Sequence, residues 1–479
     1  MFGKWHLGDN YPYRPEDRGF EEVYRHGGGG VGQTPDLWDN SYFDGSYFHN
    51  GKIVPAKGFC TDVFFQKAHD FIKTKAATKE PFLAYISTNA PHGPLHCPQK
   101  YMDMYQDQKP NLAAFFGMIS NIDENVGATR KLLTDLGIAD NTLFIYTTDN
   151  GTAAGAKVFN AGMKGNKGSP YDGGHRVPMF IHWPDKGLNK HVKFDTLCHA
   201  VDIVPTLLQA CKVENTADVK FDGMVLHQIF NPEIEYKRTA RFLITDSQRV
   251  VDPIKWRQSS VMSQQFRLIN GKELYDIKAD PGQKKDIAKA NPEQVAKMRY
   301  FYDKWWADIS PSFSQTTEIY LGHPNDPVST LTAHDWLNTG PPWNQGHIRR
   351  GDAYDQKKAA TQKKHNGHWA VKVISDGTYE ITARRWPTEA NHPITAGLPA
   401  GKGVPGSSKA FRENIGQAFP ITAATLRIDG KELETKPVGA KDTHITFTTD
   451  LKKGSHKLAP VFLHDKGEVG AYYCIVKKK

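Results

Sequence analysis

The sequence predicts an α/β chain: a mostly parallel sheet flanked by helices, then a small antiparallel subdomain, then an all-β, sandwich-like domain. Three observations predict it. Short apolar runs ("PFLAYIST", "NTLFIYTTDNG", "VPMFIHWP") alternate with helical patterns from about residue 63 onward, and that alternation makes a doubly wound parallel sheet. From about 240 to 277 the runs "RFLITD", "QSSVMSQQFRLI" and "KELYDI" follow one another closely, as antiparallel strands do. From about 366 to the end, alternating segments with regular turns continue, the pattern of a sandwich.

The helices follow from apolar spacing. "DVFFQKAHDFIKTK" repeats apolar residues at helical intervals. In "FFGMISNIDENVGATRKLLTDLG" the period places Phe116, Ile119, Ile122, Val126 and Leu133 on one face, with Gly137 as the stop. "AVDIVPTLLQAC" tolerates Pro205 in its first turn. "NPEQVAKMRYFYDKWWADI" closes the antiparallel unit. The expected domains are an α/β core over 1–239, a C-terminal subdomain over 240–310, a Pro-, Gly- and Asn-rich linker over 311–365, and the β domain over 366–479. There is no solenoid-type repeat and no long low-complexity tract.

A chain of 479 residues exceeds one ordinary core. The net charge of +9 suits an anionic partner, and equally suits plain solubility. No helix-turn-helix, zinc or stacking-sheet signature accompanies the charge, so a nucleic-acid partner is not expected. No apolar run approaches the ~20 residues that span a bilayer. Met1 is not followed by a signal-peptide pattern; read literally, the chain is cytoplasmic. Cys60, Cys97, Cys198, Cys211 and Cys474 lack metal-site spacing, and an odd, sparse set argues against a disulfide scaffold.

Three polar clusters fall at predicted strand ends, the edge where open α/β sheets bind ligands. In "NAPHGPLHCP", prolines flank His92 and stiffen its loop; a surface turn explains it as well. In "TTDNG", Asp149 and Asn150 offer the oxygens that hard divalent cations take; an Asx turn before Gly151 is the alternative. In "GMKGNKGSPYDGGHRVPMFI", Lys164 and Lys167 sit on a Gly-rich loop, with His175 and Arg176 leading into a strand. Lysines on such a loop suit a tetrahedral oxyanion, and a solvated basic loop remains open. This is not a Walker loop, nor is "HGGGGVGQ" a dinucleotide fingerprint, because no strand leads in and no helix follows. Together, a divalent metal, lysines and histidines suit attack on an anionic ester.

These residues resemble the sulfatase family of the alkaline-phosphatase-like superfamily. "GKWHLG" looks like one sulfatase signature, and "APHGP", "TTDNG" and "NKGSPYDGGHRVP" look like further family motifs in the right order. The similarity covers residues 1 to about 310; the trailing β domain looks like the accessory end of some bacterial arylsulfatase-like proteins. The resemblance implies hydrolysis of sulfate esters, on a sulfated small molecule or polysaccharide. Lys4 and His6 would contact the nucleophile and help the leaving step, and their i, i+2 spacing would put both on one side of an extended segment. His92 would hydrogen-bond the ester or protonate the leaving oxygen. Lys167 would bind the sulfate. Asp149 and Asn150 would ligate one Ca²⁺, in preference to Mg²⁺. His175 and Arg176 would line or support the pocket. The family's full-length form is expected to be periplasmic or secreted.

The family mechanism also uses a formylglycine made from Cys in C-x-P/A-x-R, and two neighbouring aspartates on the first, central strand. None of the five cysteines has that context, and one Asp plus one Asn is a poor calcium site. The expectation is therefore an N-terminally truncated family member, without its first strand and inactive as given. Two other readings stand beside it: a phosphodiesterase or phosphonate hydrolase of the same superfamily, and a non-catalytic binder of sulfated glycans.

Overall fold

The computed structural model describes residues 1–227, 241–248, 250, 252–337, 341–351, 364–404, 410–465 and 467–479. The expected boundary at 239/240 lies outside them. Two compact units form: Met1–Thr129 with Thr316–Lys479, and Arg130–Gln315.

In the first unit, the described residues hold a five-stranded sheet. Phe2–Gly3 lies between Tyr24–Arg25 and Ile86–Ser87 and runs parallel to both. The hairpin Ser46–His49/Lys52–Pro55 extends the sheet antiparallel to Tyr24–Arg25. The helix Cys60–Thr78 buries Phe64, Ala68 and Ile72, with Phe64 ringed by Tyr24 and Tyr47. The helix Pro110–Asp135 starts earlier than its apolar period suggests. Its buried stripe is also rotated: Ala114, Met118 and Ile122 are buried, while Ile119 is 41% exposed. The cause is polar. Asn121 and Asn125 donate to Asp62 Oδ1 at 2.6 and 2.7 Å, which turns that face inward.

The β domain is a two-sheet sandwich, built partly from the expected linker. Ile319–Leu321 pairs with Trp369–Val373 in one sheet, and Val328–Thr332 pairs with Tyr473–Lys478 in the other. The linker reading of 311–365 is thus corrected for its described residues: several of its apolar positions are core, with Leu321, Leu331, Trp336 and Ile348 in one cluster with Trp369, Tyr379, Trp386 and Phe447. The sandwich also packs on the N-terminal half. Trp38 meets Trp386 at 5.7 Å, and the buried Arg349 guanidinium covers Trp38 at 4.9 Å and pairs with Asp39.

In the second unit, Phe144–Thr147 and Met179–His182 form an antiparallel pair rather than parallel buried strands. The chain between them folds back beside its own start: Gly151 N–H donates to Gly174 O at 3.0 Å, and the Thr147 hydroxyl to Pro178 O at 3.0 Å. A four-stranded antiparallel sheet follows, in the order Glu273–Asp276, Phe266–Ile269, Ser259–Met262, Leu243–Asp246. The helix Pro292–Ile309 packs Met298 and Tyr302 against it. This matches the antiparallel subdomain expected from sequence.

Candidate functional site

In the first unit, strand register brings the first candidates together. Phe2 and Gly3 face Ile86 and Ser87, so Lys4 and Thr88 leave the sheet side by side. Lys4 N–H donates to Ser87 O at 2.6 Å, and Ser87 Oγ donates back to Lys4 O at 2.5 Å. His6 and His92 follow on the two emerging loops. The segment is not extended as the i, i+2 argument required: His6 has φ 63°. That turn aims its ring at the Gly-rich loop, where a Cβ on Gly29 would lie 2.3–2.5 Å from three ring atoms. Gly29 is glycine because His6 occupies the space a side chain would need.

The loop itself is held by carboxylates and an amide. Asp9 accepts from Gly28 N–H at 3.0 and 3.1 Å and pairs with the buried Arg25 at 3.0 Å. Asp36 accepts from Gly27 and Gly32 N–H at 3.0 and 2.7 Å, and Gln33 Oε1 from Gly29 N–H at 2.8 Å. Burial pushes the Asp36 carboxyl up to about 7 despite these donors. His26, fully buried and bonded through Nδ1 to Gly27 O at 2.8 Å, is pushed down to about 3 by desolvation.

His6 is accessible at its outer edge, yet desolvation pushes it down to about 4. The Lys4 ammonium and His334 add to the effect, Asp9 opposes it, and His92 contributes least. The ring is therefore neutral at pH 7, a donor and acceptor rather than a cation. His92 is exposed, its Nδ1 2.7 Å from Gly93 O, its own carbonyl accepting from Tyr42 OH at 2.9 Å.

In the second unit, the other candidates share one scaffold. Asp149 is exposed, and Asn150 Nδ2 donates to Gly151 O at 3.0 Å. Lys167 N–H donates to Thr152 O at 3.0 Å, which ties the lysine loop to the Asp149–Asn150 turn. Gly173 and Gly174 are buried, and Gly151 packs on them so closely that a Cβ there would sit 1.9 Å from Gly173 O. Lys164 is committed to the antiparallel sheet: its Nζ donates to Tyr275 OH at 3.1 Å and lies 4.2 Å over the Tyr171 ring. His175 Nε2 is 3.2 Å from Pro170 O, and burial lowers its pKa against the pull of Asp172. Arg176 Nη1 lies 3.6 Å from Asp172.

Asp172 was passed over in the sequence although it lies inside "YDGGHRVP". It is completely buried, accepts from Arg267 Nε at 2.9 Å, and its backbone N–H donates to Gln283. Asp9, His334 and Trp343 were also missed. Asp9 follows "GKWHLG" directly and could have been found as the carboxylate nearest two basic residues. The other two lie over 320 residues from His6 and carry no local signal.

The donor set does not fit a complete hard-cation site. Asp149 and Asn150 supply three side-chain oxygens at most, where Ca²⁺ takes about 6–8. Among the described residues, no group of three or more His, Cys, Asp or Glu could hold a metal. Cys60, Cys97, Cys198 and Cys474 offer no activated thiol. Burial raises Cys60 to about 12 and Cys97 to about 11 and raises Cys474 further, and desolvation raises Cys198.

A parallel-stranded α/β sheet with basic residues and histidines at its strand ends, followed by antiparallel sheets, defines an alkaline-phosphatase-like domain. The chain carries, over residues 1–213, a match to the family model described as Sulfatase, a family of sulfuric ester hydrolases. It is 28% identical over 250 residues to the uncharacterized sulfatase YdeN of Escherichia coli K12, covering 47% of this chain and 43% of that protein. It is 29% identical over 247 residues to the N-acetylgalactosamine-6-sulfatase of Sus scrofa, covering 47% and 45%. The chain thus spans about half the length of the curated relatives it matches. Among solved structures it resembles Ps i-CgsB in complex with k-i-k-neocarrahexaose, with 28% identity, a TM-score of 0.56 and coverage of 63% and 70%. Sulfatases are in general metal-dependent. Among the described residues, no helix is long and apolar enough to cross a membrane.

Proposed function

We propose that this chain recognises sulfate esters carried on carbohydrate, within the lineage of enzymes that hydrolyse them. The observation that carries the reading is the meeting of Lys4, His6 and His92 where the parallel strands Phe2–Gly3 and Ile86–Ser87 end. The lysine ammonium of Lys4 holds the anion. Neutral His6 accepts or donates one hydrogen bond beside it. His92 hydrogen-bonds the sulfate ester. In the second unit, Lys167 is the sulfate-binding lysine, and His175 and Arg176 support its loop through Pro170 and Asp172. Ca²⁺, in preference to Mg²⁺, is the cation that Asp149 and Asn150 would contact, as two ligands of a larger set. No cysteine of the chain occupies a formylglycine context, so the 479 residues by themselves are proposed to bind the ester without cleaving it.

The test is calorimetric titration of the full chain with neocarrahexaose, its chemically desulfated form and inorganic sulfate, beside an aryl sulfate assay. Sulfate-dependent binding, with turnover at the buffer background, is the expected result. Equal affinity for the desulfated sugar sinks the reading, and turnover well above background sinks the proposed inactivity.

A pH series adds a signed prediction. A bound sulfate stabilises the His6 imidazolium, so binding takes up a proton once the pH falls toward the free-state value of about 4. Sulfate affinity should rise between pH 7 and 4.5, by at most ~10-fold per pH unit. Lys4, His92, His334 and Asp9 are the other charged or titratable groups facing His6. His6→Gln should flatten the profile; an unchanged slope in that variant removes His6 from the anion site.

A further inference from the structure

Two residues from the far end of the chain stand against His6. His334 lies in the turn Ala333–Asp335, directly after the sandwich strand Val328–Thr332. Its ring centroid is 6.3 Å from that of His6, and Trp343 is 6.4 Å from His6 at an interplanar angle of 84°. His334 and Trp343 meet each other edge-on at 5.0 Å. The three rings form one cluster beside Lys4.

Both newcomers are fixed from behind. Ala333 N–H donates to Tyr472 O at 2.7 Å, which sets the His334 turn on the sandwich. Trp343 O accepts from Thr34 N–H at 3.2 Å, and the Thr34 hydroxyl donates to Pro342 O. Gln345 then grips the end of the Gly-rich segment: its N–H donates to Gly32 O at 3.2 Å, and its Nε2 lies within 3.3 Å of the carbonyls of Gln33, Asp36 and Leu37. The "HGGGGVGQ" run therefore has a role that a phosphate loop does not explain. It seats His6 on one side and carries Trp343 on its outgoing end.

The chemistry of the cluster is that of saccharide recognition. A partly exposed indole offers a flat apolar surface that suits the C–H face of a pyranose. Small-molecule sites combine such aromatic walls with a few placed polar groups. Burial lowers the pKa of His334 against the pull of Asp9, so a neutral imidazole, both donor and acceptor, stands beside the indole and matches a hydroxyl. Sulfate alone needs neither group.

We propose that Trp343 and His334, delivered by the segment that enters the C-terminal sandwich, form the wall that grips the sugar ring bearing the sulfate ester next to His6. The inference rests on the sulfate-ester reading above and adds to it the residues that distinguish a sulfated sugar from free sulfate.

Titration of the full chain with neocarrahexaose and, separately, with inorganic sulfate tests it. Trp343→Ala should weaken hexasaccharide binding at least ~10-fold, the scale of losing an aromatic anchor, and leave sulfate binding within ~2-fold. Trp343→Phe should restore most of the hexasaccharide affinity, and His334→Ala should weaken it by ~5-fold, the loss of one hydrogen bond. Unchanged hexasaccharide affinity in both alanine variants overturns the wall while leaving the sulfate-ester reading intact. Equal loss of both ligands also overturns it, because it assigns the pair a purely structural role. A wild-type chain that binds neither ligand overturns the parent reading and this one together. If Trp343→Ala loses its cooperative melt, the His334→Ala and Trp343→Phe arms decide.

Discussion

Gly151→Ala should destabilise the second unit by about 3 kcal/mol or more, the upper range for forcing a methyl into packed structure. The Cβ would stand 1.9 Å from Gly173 O and 2.9 Å from Gly173 C. Both are backbone atoms, so no side-chain rotation relieves the clash. Gly174 O, which accepts from Gly151 N–H, would be pushed away with them. The damage reaches the candidate site because Asp149 and Asn150 precede this contact and Thr152, which holds Lys167, follows it. For a unit of this size the loss corresponds to a Tm drop of roughly 6–12 °C. Differential scanning calorimetry of the full chain would read it; a Tm within 2 °C of wild type, an order-of-magnitude threshold on the same scale, would mean the glycine contact yields cheaply.

Asp172→Ala should cost about 3–5 kcal/mol, because it leaves a buried guanidinium without its counterion. Asp172 is fully buried and Arg267 nearly so, with Nε 2.9 Å from Oδ1. Burial already lowers the Arg267 pKa, with Asp172 the main opposing influence. The double variant Asp172→Leu/Arg267→Met should recover most of the loss, since a buried ion pair is often replaceable by apolar groups of similar volume. Calorimetric Tm values for the single and double variants check it. A single variant as stable as wild type would falsify the pair's anchoring role.

These two effects locate what the sequence made legible. "YDGGHRVP" and "TTDNG" are visible as polar interruptions of apolar strands, and their glycines mark close backbone approach. The strands and helices of 240–310 and the sandwich strands after 366 follow from short-range periodicity. The site candidates inside each motif, Lys4 with His6 and Asp149 with Asn150, are neighbours along the chain, so little folding is needed to bring them together. Asp172 shows the limit even there: the letter is visible, but its burial against Arg267 depends on a strand 95 residues away.

The sequence by itself determined the family resemblance, the order of the candidate motifs and most element types, because these are written in local pattern. Only the tertiary structure decided the rest. Period-two alternation says which face of a strand is apolar, but not which strand it pairs with or in what direction; hence Phe144–Thr147 and Met179–His182 emerge antiparallel. Composition marked 311–365 as a linker, yet its strands complete both sheets of the sandwich. Residues 334 and 343 gain meaning only when long-range packing of the sandwich on the N-terminal half sets their rings beside His6. Contacts between residues so far apart leave no periodic trace in the chain that makes them.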